Sequence, residues 1–530
     1  MSSNESSQPH PFVSDDRDRH FRTDHLKADL GGRSARGGAV TLVAQVCKFL
    51  LSTVAMILLA RLLSPQDYGL IGMAVVVTGF VATFKDMGLS SATIQREEIS
   101  TEQISTLFWI NLGLSVLVAL LTAAIAPIVA WFYGDSRLTL ITIGLAVGFV
   151  FGGLAIQHSA LLKRQMRFTA LATIDITALL FGLGAAIIVA CNGGRYWALV
   201  ANQLVQGLTY AAGIWLVSGW RPGRPARHSG VRSMLGFGRN LTGFSIINYF
   251  ARNLDNMLIG RFWGSRSLGL YSRAYQLLLF PIDQINSPIA AVAIPALSRL
   301  NDSPERYRQA YLRILQKVAI VTMPGMAFLI VCSDWIVRLA LGPQWIEAGR
   351  IFALLGIAGM VQPIANTTGW LFISQGRTHH MFQWGLIGCS IIIVSIIAGL
   401  PWGAMGVAAS YSIVFLLVVT PLLFWFVGRH GPVRTIDFYR TVAPIALAAL
   451  CVFAALLIMR QWMNVTRPLL GLPIGFFLTI IVTILTLCVS HEGRMAVKDF
   501  KRLFALLSRR DGARPASLVD SGAPSSQLAT

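Results

Sequence analysis

Apolar residues occur along this chain in long blocks, separated by short clusters rich in Lys, Arg, Asp, Gly and Pro. A helix needs about 20 apolar residues to cross roughly 30 Å of hydrocarbon, so blocks of this length predict membrane-spanning helices. Fourteen candidates result, at 38–60, 68–88, 104–132, 138–160, 168–191, 196–219, 237–262, 267–296, 311–333, 346–374, 380–400, 404–428, 441–460 and 468–490. The second, seventh and eighth carry the most polar residues. Residues 1–37 are polar and read as a cytoplasmic tail; the apolar run after them is too long for a signal-peptide core and reads as a retained first span. At the other end, 494–510 spaces Val497, Phe500, Leu503, Phe504 and Leu507 helically with basic residues opposite, which predicts a helix lying on the membrane surface. Residues 511–530 are small and polar and predict a disordered tail.

Loop charge sets the orientation. With the N-terminus in the cytoplasm, 32 of the 44 Lys and Arg fall on the cytoplasmic side, densest in "RPGRPARHSGVR" (221–232) and "RYRQAYLR" (306–313). This asymmetry follows the positive-inside rule and places both termini in the cytoplasm. Lys85 and Asp86, near the cytoplasmic end of the second span, read as snorkelling residues.

Composition narrows the function. Only 13% of the 530 residues are charged and 54% are hydrophobic, against about 25% charged in a soluble domain. A conventional soluble enzyme is excluded. The net charge of +20 does not point to nucleic acid, because the basic residues sit between apolar blocks rather than on one soluble face. The six cysteines lie in apolar runs without metal-like spacing and read as small buried hydrophobes. Walker loop, nucleophile elbow and zincin motif are all absent from the sequence, so neither cofactor, metal nor catalytic residue is expected.

An internal repeat shapes the expected fold. "ARLLSPQDYGL" (60–70) follows the first span and "GRFWGSRSLGL" (260–270) the seventh, so Arg61, Gly69 and Leu70 recur as Arg261, Gly269 and Leu270, and Gly38 as Gly238. Six spans per repeat preserve orientation, which predicts an all-α polytopic protein of two six-helix lobes, 38–220 and 233–428, about an axis along the membrane normal. Two further helices occupy 441–490. Gly144, Gly148 and Gly152, each four apart, predict close helix packing.

Three basic residues remain inside the spans: Lys48, Arg252 and Arg273. Each costs at least about 2.5–3.5 kcal/mol at mid-membrane, so each is expected to face a partner or a wet cavity. Lys48 and Arg252 lie on equivalent helices, where they would face one another between the lobes. Asn248, Arg252, Asp255 and Asn256 share a helix face. Asp255 either neutralises Arg252 structurally or orients it in an empty site. With Lys48 and Arg273 the set is net positive, which favours an anionic cargo, and a guanidinium fork suits phosphate. Asn256 and Gln45 are candidate substrate contacts, while Asp255, Asp175 and Asp283 are candidates for charge pairing or ion coupling. Asn111, Asn202, Gln203, Gln206 and Gln284 are further buried polar candidates, each more readily read as an interhelical hydrogen bond.

"LLARLLSPQDYGLIGMAVVVTGF" (58–80), "KDMGLSSATIQREEIS" (85–100) and "DNMLIGRFWGSRSLGLYSRAYQL" (255–277) resemble the polysaccharide transporter family. This family lies within the multidrug/oligosaccharidyl-lipid/polysaccharide exporter superfamily. The resemblance covers about residues 35–430 and implies a flippase of the bacterial inner membrane. Its cargo would be an undecaprenyl diphosphate-linked oligosaccharide, carried to the periplasmic leaflet by alternating access for lipopolysaccharide or exopolysaccharide assembly. Its partners would be membrane lipids and the polymerase and chain-length regulators of the pathway, not nucleic acid. Three alternatives remain: a drug or cation antiporter of the same fold, a membrane glycan polymerase or glycosyltransferase, and a scaffold for such enzymes. The antiporter calls for a net acidic cavity, and the polymerase for long extramembrane loops.

Overall fold

The computed structural model describes residues 30–82, 100–225, 232–429, 431–463, 468–489 and 493–494. The expected N-terminal tail as far as residue 29, Lys85 and Asp86, the loop centre 226–231, the surface helix beyond 494 and the tail 511–530 lie outside the described residues. Most of those described are helical, with no strand among them. In chain order the helices are α1 (Leu30–Leu62), α2 (Pro65–Ala82), α3 (Thr101–Tyr133), α4 (Arg137–Arg164), α5 (Phe168–Cys191) and α6 (Trp197–Ser218). Next come α7 (Arg232–Ser298), α8 (Pro304–Val331), α9 (Ser333–Ala340), α10 (Ile346–Ser374) and α11 (Thr378–Gly399). Helices α12 (Gly403–Val414) and α13 (Thr420–Gly428) are joined by a π-helical turn, Phe415–Val419, and α14 (Thr435–Met463) and α15 (Pro468–Val489) follow.

Among the described residues, eleven helical stretches are long and apolar enough to cross a membrane. Two of them, Arg252–Ser298 and Thr378–Gly428, have 47 and 51 residues, enough at 1.5 Å per residue to cross twice. The chain is a multi-pass membrane protein. The expected spans 168–191 and 346–374 coincide with α5 and α10. The expected division between spans seven and eight is a break inside α7 at Gly264, whose φ of 77° and ψ of −179° suit glycine alone. The short amphipathic α9 escaped the span rule because eight residues cannot cross hydrocarbon.

Exposed side chains match a hydrocarbon surround. Leu216, Val292, Leu417 and Phe477 all project outward, at no cost in lipid. Trp131 and Trp462 are exposed near the ends of their helices, where indole rings favour the membrane interface. All six cysteines are free, but only Cys332 is buried; Cys47, Cys191 and Cys488 are exposed, correcting the expectation of burial. Lipid gives an apolar side chain a second place to avoid water.

The chain divides into two compact units. The first comprises Met1–Asp283, Cys332–Gly359 and His379–Leu422. Within it α3 packs along α4, α5 along α6, and α1 against α5. Ile104, Leu107, Phe108, Leu161 and Trp220 form one buried cluster. The C-terminal carbonyl of α1 at Ala60 accepts from the Trp345 indole at 2.8 Å and from Gln344 Nε2 at 2.9 Å, and Arg61 in turn donates to the Leu339 carbonyl of α9. These bonds satisfy backbone groups that helix ends leave unpaired.

The repeated motif makes a reciprocal contact in this unit. A side chain at Gly69 would strike the Ser265 carbonyl, and one at Gly269 would strike the Pro65 carbonyl and approach Gly69 N to 3.0 Å. Ser265 and Gly269 stand 200 residues after Pro65 and Gly69. Each segment thus touches the counterpart of the residue that touches it. Backbone meets backbone there, so only the missing Cβ allows the approach.

The second unit comprises Gln284–Val331, Met360–Thr378 and Leu423–Thr530. Helix α14 packs on α8 and on α15. Arg308 holds the Asp437 carboxylate with two prongs, Nε to Oδ2 at 2.8 Å and Nη2 to Oδ1, and Asp437 also accepts from the Arg434 N–H at 2.8 Å. Tyr311 and Thr367 share a hydroxyl hydrogen bond of 2.7 Å, and Tyr307 and Ser374 one of 2.6 Å. These polar groups find partners on neighbouring helices, as a membrane interior demands.

Candidate functional site

On α1, Lys48, Ser52, Ala55, Met56 and Leu59 recur at helical spacing and share one face. Asp175, Leu179 and Leu183 do the same on α5, and Leu199, Asn202 and Gln206 on α6. From Ser52 onward these stripes, with Tyr68 of α2 and Arg273 of α7, line an open-sided cavity of about 210 Å³. One turn before it, Lys48 Nζ donates to Asp175 Oδ2 at 2.9 Å and ties α1 to α5. The next side chain, Phe49, stacks on Phe280 with centroids 4.5 Å apart. Lys48 is therefore paired with Asp175, not unpaired as the sequence suggested. Carboxylates 127 residues away cannot be assigned from spacing.

Arg273 differs. Its guanidinium lies over the Tyr68 ring, 3.8 Å from the centroid, and donates to Gln276 Oε1 at 2.6 Å. Among the described residues it has no salt bridge. Tyr68 is held by the start of α2, where Ser64 and Asp67 form a capping box: Asp67 N donates to Ser64 Oγ at 3.3 Å, and Ser64 N to Asp67 Oδ2 at 3.0 Å. The "SPQD" run (64–67), with Pro65 at the first helical position, is a legible signal for this start. Tyr68 also meets buried Trp345 edge to face at 5.4 Å.

Asp255 sits in a second cluster in the same unit. Its carboxylate accepts from the Tyr271 hydroxyl at 2.9 Å and from Asn256 N at 2.7 Å. In an unbroken helix 16 residues would separate the two side chains by about 24 Å. The break at Gly264 brings them together. Tyr271 lies parallel to Tyr275 at 6.1 Å, and Tyr275 bonds Tyr411 of α12. The expected orientation of Arg252 by Asp255 is thereby corrected: the acceptor atoms face Tyr271 and the backbone. Arg252 is exposed and within electrostatic reach of Cys389 and Tyr411. Asn256 Oδ1 is buried without a partner, while Gln45 and Asp283 are exposed. Asn248 has a described backbone, but its side chain is outside the described part. Among Lys48, Arg252, Arg273, Asp175 and Asp255, one positive charge remains in excess.

The pairing of Lys48 and Asp175 has a measurable consequence. Both side chains are about one-third exposed, so the coupling expected from a double-mutant cycle is about 1 kcal/mol or less. Thermal unfolding of Lys48→Ala, Asp175→Ala and the double variant should show the second removal costing less than the first. Strict additivity would dissolve the pair.

A profile of the family described as "Polysaccharide biosynthesis protein" matches residues 58–350, more than half of the chain. The chain belongs to this family. The match includes Asp175, Arg252, Asp255, Asn256, Arg273 and Asp283 but begins after Gln45 and Lys48. Among polysaccharide biosynthesis proteins it is similar to the lipopolysaccharide biosynthesis protein WzxC of Escherichia coli K12, with 27% identity over 75% of this chain and 81% of that one. The teichuronic acid biosynthesis protein TuaB of Bacillus subtilis 168 is 28% identical over 71% of this chain and 79% of its own. The succinoglycan biosynthesis transport protein ExoT of Rhizobium meliloti 1021 is 25% identical over 72% and 76%. The fold is shared with the lipid II flippase MurJ in an inward closed conformation, at a TM-score of 0.66 and 14% identity, over 84% of this chain and 98% of that one. An inward-facing multidrug resistance MATE family transporter of the MOP superfamily aligns at 0.57 and 14% identity, over 74% and 95%. The chain is thus a polysaccharide biosynthesis protein by family, with a fold shared with these two solved structures.

Proposed function

We propose that the protein is a flippase for undecaprenyl diphosphate-linked oligosaccharides, moving them from the cytoplasmic to the periplasmic leaflet of the bacterial inner membrane, with both termini cytoplasmic. The observation that carries this reading is Arg273: a cation without a salt bridge among the described residues, lining a cavity with Asn202, Gln206 and Ser52. At about 210 Å³ the cavity lies below the usual range of about 300–1,000 Å³ for small-molecule sites. It suits a diphosphate head group and leaves the sugars to a wider path. Arg273 supplies the fork for diphosphate oxygens, Arg252 adds positive potential, and Lys48 serves when released from Asp175. Asn256 and Gln45 are proposed sugar contacts. Asp175, Asp255 and Asp283 are proposed for ion coupling. Two lobes, 38–220 and 233–428, rocking about this region would give alternating access, with 441–490 as an addition to the core. Pathway polymerases and chain-length regulators are proposed partners, and no reaction is assigned to the chain.

The fold shared with a multidrug transporter keeps a cation antiporter as the second reading, which the positive charge of Arg273 on the cavity wall disfavours. Proteoliposomes distinguish them. A fluorescent polyprenyl diphosphate oligosaccharide should become accessible to a membrane-impermeant quencher only when the protein is present. Uptake of a cationic dye with no movement of the glycolipid would reverse the assignment.

A further inference from the structure

Gly144, Gly148 and Gly152 predicted tight packing on α4, and the structure divides that stripe. At Gly144 an added Cβ would lie 3.2 Å from Val200, close packing as expected. One turn further, at Gly148, its nearest neighbour would be Leu204 at 4.0 Å. From there a cavity of about 320 Å³ opens along α4 and α6, and its lining includes Gly148, Phe151, Ile156, Gly207, Tyr210 and Lys163. Its size is within the range of ligand sites. It shares no lining residue with the cavity around Arg273.

Its chemistry is graded. The walls from Gly148 to Ile156 are glycine and hydrocarbon, which suit an alkyl chain. Further along, the Ser159 and Tyr210 hydroxyls bond each other at 3.3 Å. Lys163 stands exposed at the end, without an ion-pair partner among the described residues. Fifteen residues of helix, about 22 Å, separate Gly148 from Lys163. Val147 and Leu208, adjacent in sequence to Gly148 and Gly207, are exposed, so the cavity borders the outward surface of the helices. Lys163 belongs to "KRQMR" (163–167), which the charge distribution places on the cytoplasmic side. Arg167 is occupied by the Val217 carbonyl at 3.0 Å. Basic pockets between helices at that side hold anionic lipid heads.

We infer that the groove between α4 and α6 binds an anionic phospholipid of the cytoplasmic leaflet, one acyl chain lying along Gly148–Ile156 and the phosphate on Lys163. The groove narrows at Gly144, so the chain enters from the Lys163 side. This site is independent of the transport reading and is tested by lipid binding, without a transport assay.

The full-length protein in nanodiscs would be irradiated with phosphatidylglycerol or phosphatidylcholine bearing a diazirine on the acyl chain, and the labelled peptides mapped. Phosphatidylglycerol should label the peptides containing Phe151, Ile156 and Tyr210 several-fold more strongly than phosphatidylcholine. Lys163→Gln, at an exposed position, should remove that preference, and Gly148→Leu with Gly207→Leu should lower labelling by both lipids. Equal labelling by the two lipids in the unaltered protein, or labelling indifferent to Lys163→Gln, would overturn the inference. Displacement of phosphatidylglycerol by an equimolar polyprenyl phosphate would overturn it too, by making the groove a seat for isoprenoid chains.

Discussion

Arg273→Ala should lower the initial rate of glycolipid flipping at least about tenfold while leaving protein abundance and thermal unfolding close to unchanged. A charge-assisted hydrogen bond contributes about 1.5–3 kcal/mol, which is roughly a 10- to 150-fold effect on binding. The stability change is small because Arg273 has only Gln276 and the face of Tyr68 as partners among the described residues, and its removal strands no carboxylate. Arg273→Lys should recover part of the rate, because charge is kept while the two-pronged geometry is lost. If Arg273→Ala flips at the normal rate across substrate concentrations, diphosphate capture must be assigned elsewhere.

Gly269→Ala is expected to be more disruptive than its size suggests. The new methyl would meet the Pro65 carbonyl and the Gly69 backbone, and these atoms cannot rotate aside as a side chain can. Helices α2 and α7 must then separate. Overpacking costs about 1–3 kcal/mol, enough to change a two-state ratio by about 5- to 150-fold. Spin labels at the exposed positions Gln66 and Arg266, in a chain with its native cysteines replaced, would report the separation. The unaltered protein should give a short, narrow distance distribution, and Gly269→Ala a longer one. Because the contact is reciprocal, Gly69→Ala should produce a similar shift. An unchanged distribution in both variants would contradict the backbone contact.

The helices were legible in the sequence because hydrocarbon imposes one rule on every residue within it: about 20 apolar positions, with breaks where Gly, Pro and charge accumulate. Thus α5 and α10 begin and end where the apolar runs do. The short α9 was not legible, since it is amphipathic and spans nothing. The polar residues of the site were legible as a set, because each is costly in a span, but their pairings were not. Asp255 meets Tyr271 across the helix break at Gly264, and Lys48 meets Asp175 on a helix four spans later. Spacing within one helix reveals neither contact. Tyr68 and Tyr271 escaped notice for another reason: a tyrosine reads as apolar until its hydroxyl or ring face acquires a partner.

The pairing of Gly69 with Ser265 and of Gly269 with Pro65 has an evolutionary consequence. Two copies of a single shorter polypeptide, meeting face to face as a homodimer, would form this contact twice from one glycine. In one chain the same contact needs two glycines, so a side chain gained in either half would push on the backbone of the other.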